Sequence, residues 1–69
     1  MQSELIIPTK NRVYQNKGGG SYKCLKSSSE HTVFVNTCSG WTFNAHNVRM
    51  YEDGKIEWDY SEGGHFVRL

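Results

Sequence analysis

The chain has 69 residues, 36% of them hydrophobic, and a formal net charge of +1. This length allows one domain, and no stretch approaches the roughly 20 consecutive apolar residues of a membrane span, so we expect a single domain without a membrane-spanning helix. The first residues lack the basic and apolar regions of a signal peptide. We therefore expect a cytoplasmic protein in which Cys24 and Cys38 are reduced thiols.

Short runs of β-branched and aromatic residues, bounded by turn residues, are typical of strands. In chain order, these runs predict strands at residues 4–7, 11–15, 21–26, 31–37 and 41–45. The pair Asp53 and Gly54 is typical of a two-residue type I′ turn, so a hairpin should join residues 48–52 to residues 55–60. The segment HFVRL, residues 65–69, predicts a last short strand.

Five to seven short strands in so small a chain predict an all-β fold, either a small antiparallel SH3-like barrel or a strongly curled sheet, with an OB-like barrel as the second choice. The domain should span residues 1–69, with residues 1–10 as a loosely attached N-terminal strand. A core of this size leaves roughly 3–5 kcal/mol of net stability, and a homodimer would add buried area. In the hairpin, Ile56, Trp58 and Tyr60 should share a buried face, because side chains alternate along a strand.

The charges are separated along the chain. Residues 1–29 carry five cations against Glu4, a net charge of +4, and residues 52–62 carry five acids against Lys55, a net charge of −4. The acids alternate with apolar residues, so they should point into water while their neighbours are buried. The cations are Lys10, Arg12, Lys17, Lys23 and Lys26, and the acids are Glu52, Asp53, Glu57, Asp59 and Glu62.

No combination of residues predicts catalysis or a cofactor. The run KGGGS lacks the order of a phosphate-binding loop, because the lysine precedes the glycines and a strand follows. Zinc sites use close pairs of ligands, and a site built from Cys24, His31 and Cys38 would need folding to bring them together, so we name no metal ligand and leave metal binding open. A nucleophilic arrangement of Cys24 with His46 and Asp59 lacks an oxyanion motif. We therefore predict a binding protein without enzymatic activity.

The segments RVYQNKGGGSYKCL and SGWTFNAHNVRMYEDGKIEWDYSEGGHF, which lie within residues 12–66, resemble a group of small uncharacterised proteins encoded by phages and mobile elements. The shared features are the glycine run before Tyr22 and Cys24, the SGW motif that ends at Trp41, and the EDG-x-IEWDYS-x-GG block. The resemblance implies a common small barrel. The phage context implies a role against host defence, for which anti-CRISPR proteins are the example.

Three functions are considered, of which the first two rest on the charges and on this resemblance. The first is an inhibitor of a host nucleic-acid-handling protein, for example a CRISPR effector, that docks through the five acids of residues 52–62 with Tyr51 and Tyr60 as anchors. The second is nucleic-acid binding through the five N-terminal cations. A third is an SH3-like module that recognises a peptide with exposed aromatic side chains.

Overall fold

The computed structural model describes residues 3–67, which form eight β-strands and contain no helix that could span a membrane. All strand pairs are antiparallel, so the predicted all-β antiparallel class is confirmed. Residues 1–2 of the predicted N-terminal segment and residues 68–69 of the predicted last strand lie outside the described residues. The strands are β1 (Ser3–Leu5), β2 (Val13–Gln15), β3 (Ser21–Ser27), β4 (Thr32–Asn36), β5 (Trp41–His46), β6 (Arg49–Tyr51), β7 (Ile56–Glu57) and β8 (Tyr60–Phe66).

The strands form two sheets, and the described part of the chain contains no closed barrel. The larger sheet has the order β2-β3-β4-β5-β8, and the smaller sheet has the order β1-β6-β7. One isolated parallel bridge between Asn16 and Ile56 connects the end of β2 to β7. Because β1 and β7 span only three and two residues, they offer few backbone groups for closing the sheet. In this order β1 and β7 are the edge strands of the smaller sheet, and β2 and β8 are those of the larger.

One long hairpin runs through both sheets. Its upper half pairs β6 with β7, with Met50 opposite Ile56, and its lower half pairs β5 with β8, with His46 opposite Tyr60. Met50 follows His46 by four residues on one arm, and Tyr60 follows Ile56 by four residues on the other, so the register is continuous. At the junction Asn47 takes the left-handed conformation with φ 59°, which asparagine tolerates better than most residues. The hairpin bends there from the larger sheet into the smaller one.

The turn of this hairpin differs from the prediction. Tyr51 donates its N–H to the Lys55 carbonyl at 2.9 Å and accepts the Gly54 N–H at 2.9 Å, which leaves three loop residues, Glu52, Asp53 and Gly54. Only Gly54 has positive φ in the loop, at 82°, whereas a type I′ turn needs it at both central positions. The loop is therefore a type I turn followed by a glycine bulge, which spares Asp53 the left-handed conformation.

The core is an aromatic cluster between the sheets. Phe34 and Ile56 are fully buried. Trp58 is half-buried, and its indole contacts the rings of Tyr22, Phe34 and Phe43 at centroid distances of 5.1, 5.4 and 5.3 Å. Aromatic pairs of this kind add about 0.5–1.5 kcal/mol each beyond their burial. The prediction that Ile56 and Trp58 face inward is confirmed.

Tyr60 does not share that buried face. It is 56% exposed, and its ring stacks on the imidazole of His46 with centroids 4.4 Å apart and an interplanar angle of 8°. The bend at Asn47 reverses the alternation of side chains between Trp58 and Tyr60. The prediction of one buried face for all three hairpin residues is therefore wrong for Tyr60.

Candidate partner-binding groove

Arg49 neutralises two of the five acids predicted to form a docking face. It lies on β6 opposite Glu57, and its guanidinium contacts Glu57 at 3.3 Å and, more closely, Asp59. The Tyr51 hydroxyl donates to the same Glu57 oxygen at 2.8 Å, and the Asn47 amide donates to Asp59 at 3.0 Å. These acids therefore belong to a hydrogen-bonded ladder around a central cation.

The pKa values of the ladder follow from these contacts. The hydrogen bond that Tyr51 donates to Glu57 favours the neutral phenol and raises the pKa of Tyr51, and burial acts in the same direction. Burial is the largest single influence on Arg49 and would lower its pKa, but the charge and hydrogen bond of Asp59, together with Tyr51 and Glu57, outweigh burial and raise the pKa. Both side chains are therefore held more firmly in their protonated forms.

Two further acids are paired elsewhere along the hairpin. At its tip, Asp53 accepts the Lys55 backbone N–H at 3.0 Å and lies 3.7 Å from the ammonium of Lys17. The Lys55 N–H is the main cause that lowers the pKa of Asp53, burial opposes this shift, and the charge of Lys17 supports it. On β8, a Glu62 carboxylate oxygen lies 2.9 Å from Nε2 of His46.

The five acids therefore do not form one bare anionic surface. Counting Lys17, Arg49 and Lys55 against them gives a net charge of −2 (3 − 5), instead of the −4 of residues 52–62 alone. Among the described residues, Glu52 is the one acid of the five without an ion pair or a side-chain hydrogen bond. The two predicted anchors are also separated, with Tyr51 on β6 of the smaller sheet and Tyr60 on β8 of the larger.

The predicted basic strip is divided as well. Lys17 belongs to the hairpin tip, where its ammonium lies above the Tyr51 ring at 4.4 Å. The guanidinium of Arg12 lies above the ring of Tyr14 at 5.3 Å. The remaining cations of the predicted strip are Lys10 and Lys26, which are exposed, and Lys23, which is half-buried.

A groove that the sequence did not reveal runs along β1. It consists of two open cavities, one of about 420 Å³ beside the hairpin tip and one of about 130 Å³ beside the loop between β3 and β4, and Ile6 lines both. Leu5 and Ile7 line the smaller cavity and are 70% and 62% exposed. We call this feature the β1 groove. Its lining comprises Ser3 to Ile7, Ser28 to Thr32, Ala45, Asn47, Val48 and Met50 to Glu52.

The β1 groove is both acidic and apolar. Glu4 and Glu52 line its larger cavity, Glu30 lines its smaller one, and no lysine or arginine is among the described lining residues. Within residues 3–67 none of these three glutamates forms an ion pair. The smaller cavity has an apolar floor that includes the buried residue Ala45. In the smaller cavity, Glu30 therefore shares the lining with the exposed aliphatic side chains of Leu5 and Ile7.

Sequence reasoning missed Glu4 and Glu30 because each stands alone in the chain, far from the acids of residues 52–62. The segment ELII places Glu4 beside three apolar residues, which was a signal for an amphipathic edge. It does not show which other segments face that edge. The loop that carries Glu30 reaches β1 only in the folded chain.

No group of three or more His, Cys, Asp and Glu side chains in residues 3–67 could hold a metal ion. Both cysteines are free. Cys24 is fully buried, and burial raises the pKa of its thiol, whereas Cys38 is exposed in the turn after β4. The ring of His31 lies 6.2 Å from that of His46, and the described contact of the Cys24 thiol is with the Pro8 carbonyl at 3.7 Å.

Comparison of the chain with protein-family models, with curated proteins and with solved structures finds no match. The class of protein is therefore defined by the fold and the groove alone. It is a small two-sheet all-β protein with an acidic and apolar groove along an edge strand.

Proposed function

We propose that this protein acts by binding, without catalysis, and that it receives a basic and partly apolar surface of another protein in the β1 groove. One observation carries the proposal: three glutamates without a described cation line the same groove that Leu5 and Ile7 flank. Exposed apolar side chains rimmed by polar groups are typical of interaction sites. Bare carboxylates also attract a cationic partner and orient its approach.

The groove is a better docking surface than the acids of the hairpin. A partner cation that approached Glu57 or Asp59 would compete with Arg49, which already contacts both. An ion pair that replaces an existing one at a solvent-exposed site adds little free energy. Glu4 and Glu30 offer a partner cation no such competition from the described residues.

The partner that we propose is a host nucleic-acid-handling protein, with a CRISPR effector as the first candidate, and the protein would act as its inhibitor. Proteins that hold nucleic acid present positively charged channels, and an acidic groove is complementary to such a channel. The phage-encoded origin expected from the sequence would favour the same class of partner. Occupation of the channel would then exclude the nucleic acid.

Neutralising the groove tests this proposal. The variant Glu4→Gln/Glu30→Gln/Glu52→Gln removes three negative charges and keeps the side-chain shapes. Because exposed charge contacts contribute roughly 0.2–1 kcal/mol each, we expect about tenfold weaker binding. The measurement is the fluorescence anisotropy of a labelled decalysine peptide at low salt, followed by inhibition of DNA cleavage by a candidate CRISPR effector.

The matched control is Gln15→Lys/Thr37→Lys/Ser61→Lys, which changes the net charge by the same amount at exposed positions outside the groove. We expect it to keep most of the wild-type affinity. Equal losses in the two variants would mean that overall charge and not the groove controls binding, and the proposal would be wrong.

Nucleic-acid binding through the five N-terminal cations stays a prediction. It has less support, because Lys17 is paired with Asp53 at the hairpin tip. The test is a salt titration of binding to labelled single and double strands, in which phosphate contacts make the affinity fall steeply with salt. Absence of binding at low salt would exclude this function.

A further inference from the structure

We infer that the partner presents an extended segment, which adds to β1 as a further strand and directs a basic and an apolar side chain, two residues apart, into the β1 groove. This inference rests on the proposed function and specifies the conformation and the side-chain pattern of the partner. It follows from the free edge of β1, from the positions of two side chains on that strand, and from the charge of the groove.

The edge of β1 that faces away from β6 has backbone groups available for pairing. Ile6 donates its N–H to the Val48 carbonyl at 3.0 Å, so in an antiparallel ladder the backbone groups of Leu5 and Ile7 point to the opposite side. In the described chain β1 is the last strand of its sheet on that side. Its register with β6 is regular, from Ser3 to Leu5. A further strand can therefore pair there.

The side chains of β1 define the spacing of the partner's residues. Glu4 and Ile6 are two residues apart, so they lie on the same face of the strand, and both line the larger cavity. On a strand paired beside β1, two residues on that face are also two apart. A cation would lie next to Glu4 and an apolar side chain next to Ile6, which predicts the pattern basic-x-apolar or its reverse.

The smaller cavity fits one aliphatic side chain. Its volume is about 130 Å³, which leaves room for a side chain of the partner. Its apolar lining consists of Leu5, Ile6 and Ile7 together with the buried residues Ala45 and Val48. Glu30 also lines this cavity, so a second cation of the segment would meet its carboxylate there.

Charge argues against a second copy of this chain as the occupant. Pairing of β1 with β1 of another copy would bring two acidic grooves together, with Glu4 of both copies on adjacent strands. Like charges on adjacent strands are destabilising. A basic segment from a different protein is complementary to the same site.

The probe is the peptide acetyl-Lys-Thr-Leu-Thr-Lys-amide, in which a leucine and two lysines share one face of an extended chain in either direction. We expect it to bind the wild-type protein and to slow hydrogen exchange at the amides of Leu5 and Ile7 by about tenfold at saturation, as measured by nuclear magnetic resonance. The control peptide acetyl-Lys-Leu-Lys-Thr-Thr-amide has the same composition, but its leucine and lysines face opposite sides, and we expect it to bind more weakly.

N-methylation of alternate peptide amides gives the sharpest test of strand pairing. An extended peptide has two sets of alternate amides, one on each of its edges. Methylation of the set that faces β1 removes the hydrogen bonds to β1, whereas methylation of the other set leaves them intact. Strand addition predicts that one methylated series loses binding while the other keeps it. Protection of Leu5 and Ile7 together with this asymmetry supports the inference.

The remaining outcomes separate the inference from the proposed function. Strand addition is overturned if both methylated series still bind. It is also overturned if acetyl-Lys-Thr-Leu-Thr-Lys-amide fails to bind while decalysine still binds. In both cases the proposed function stands if binding of decalysine needs the three glutamates. Unchanged binding in the triple-glutamine variant overturns the proposed function itself. A dimer in sedimentation, with the Leu5 and Ile7 amides protected without peptide, would identify a second copy as the occupant and overturn the inference.

Discussion

Arg49 is the residue that separates the charge pattern of the sequence from the charge pattern of the surface. It contacts Glu57 and Asp59, which follow it by 8 and 10 residues in the chain. Residues 8 or 10 positions apart do not contact one another along a single strand. They come into contact because the hairpin places Arg49 opposite Glu57. One cation thereby removes two acids from the surface that a partner could use.

Removal of this cation should destabilise the protein in a manner that depends on salt. In Arg49→Gln the carboxylates of Glu57 and Asp59 are left close together without a compensating charge. We expect a lower thermal midpoint at low salt and a partial recovery at high salt, which screens the repulsion. Circular dichroism melts measure both. The control Lys55→Gln lies in the same hairpin at an exposed position, and a midpoint of Arg49→Gln equal to that of the control would contradict this account.

Asp53 should make stability depend on pH in the acidic range. Its pKa is lowered from 3.8, mainly by the Lys55 backbone N–H. A carboxyl group with a lowered pKa stabilises the folded state above its ordinary pKa, and the contribution is lost as the pH falls through the lowered value. Asp53→Asn should therefore lower the thermal midpoint near neutral pH, and the difference from wild type should vanish in strong acid. The thermal midpoint of a Glu52→Gln control should change with pH as that of wild type does. A difference in midpoint between Asp53→Asn and wild type that stays the same at every pH would refute the linkage.

Among the strands, β8 and β1 are both edges, but they differ in regularity. The register of β8 shifts between Thr42 and Asn44 of β5, and Gly63 and Gly64 there have positive φ values of 65° and 144°. A bulge on an edge strand discourages pairing with other chains. The ladder of β1 with β6 has no such shift, so β1 is the better edge for an added strand.

The bulge of β8 also seats Trp41, and Gly64→Ala tests this contact. A Cβ atom at Gly64 would lie 2.2 Å from Cζ2 of Trp41, so the indole or the strand has to move. We expect a loss of about 2–4 kcal/mol in unfolding free energy from steric overlap and backbone strain, measured by urea denaturation. Gly19→Ala is the matched control, since Gly19 has a φ of 105° but open space around it. An equal loss in both variants would mean that strain alone is responsible.

The molecule as a whole depends on a core that its two sheets share. Trp58 belongs to the hairpin between β7 and β8, and its ring contacts Tyr22 on β3 and Phe43 on β5. Ile56 of the smaller sheet is buried in the same cluster. Neither sheet has a separate core in the described residues. We therefore expect one cooperative unfolding transition.

Truncation of Trp58 should remove most of the stability. Trp58→Ala costs about 3–5 kcal/mol by loss of buried aromatic contact, which is comparable with the total stability of a domain of this size. We expect an unfolded or barely folded protein by circular dichroism. Trp58→Phe keeps a ring in the cluster and should remain folded with a loss of about 1–2 kcal/mol. A Trp58→Ala protein with an unchanged melting curve would show that the indole does not join the sheets.

The predictions from sequence succeeded where the signal was local. The predicted runs at residues 21–26, 31–37 and 41–45 overlap β3, β4 and β5, because alternation and turn residues act over a few positions. The orientation of Tyr60 was wrong because alternation was continued through a bend. That bend depends on the left-handed conformation of Asn47. Few residues adopt this conformation, and the neighbouring residues did not predict it.

The sequence by itself determined the strand content, the hairpin that turns at Gly54 and the inward position of Trp58, since each depends on the spacing of apolar and turn residues along one segment. Only the tertiary structure decided which carboxylates are neutralised and which stay bare. Neutralisation depends on the distance between charges far apart in the chain, and the register of the hairpin sets that distance for Arg49. The tertiary structure also brings Glu4 and Glu30 to one groove, where no described cation meets them.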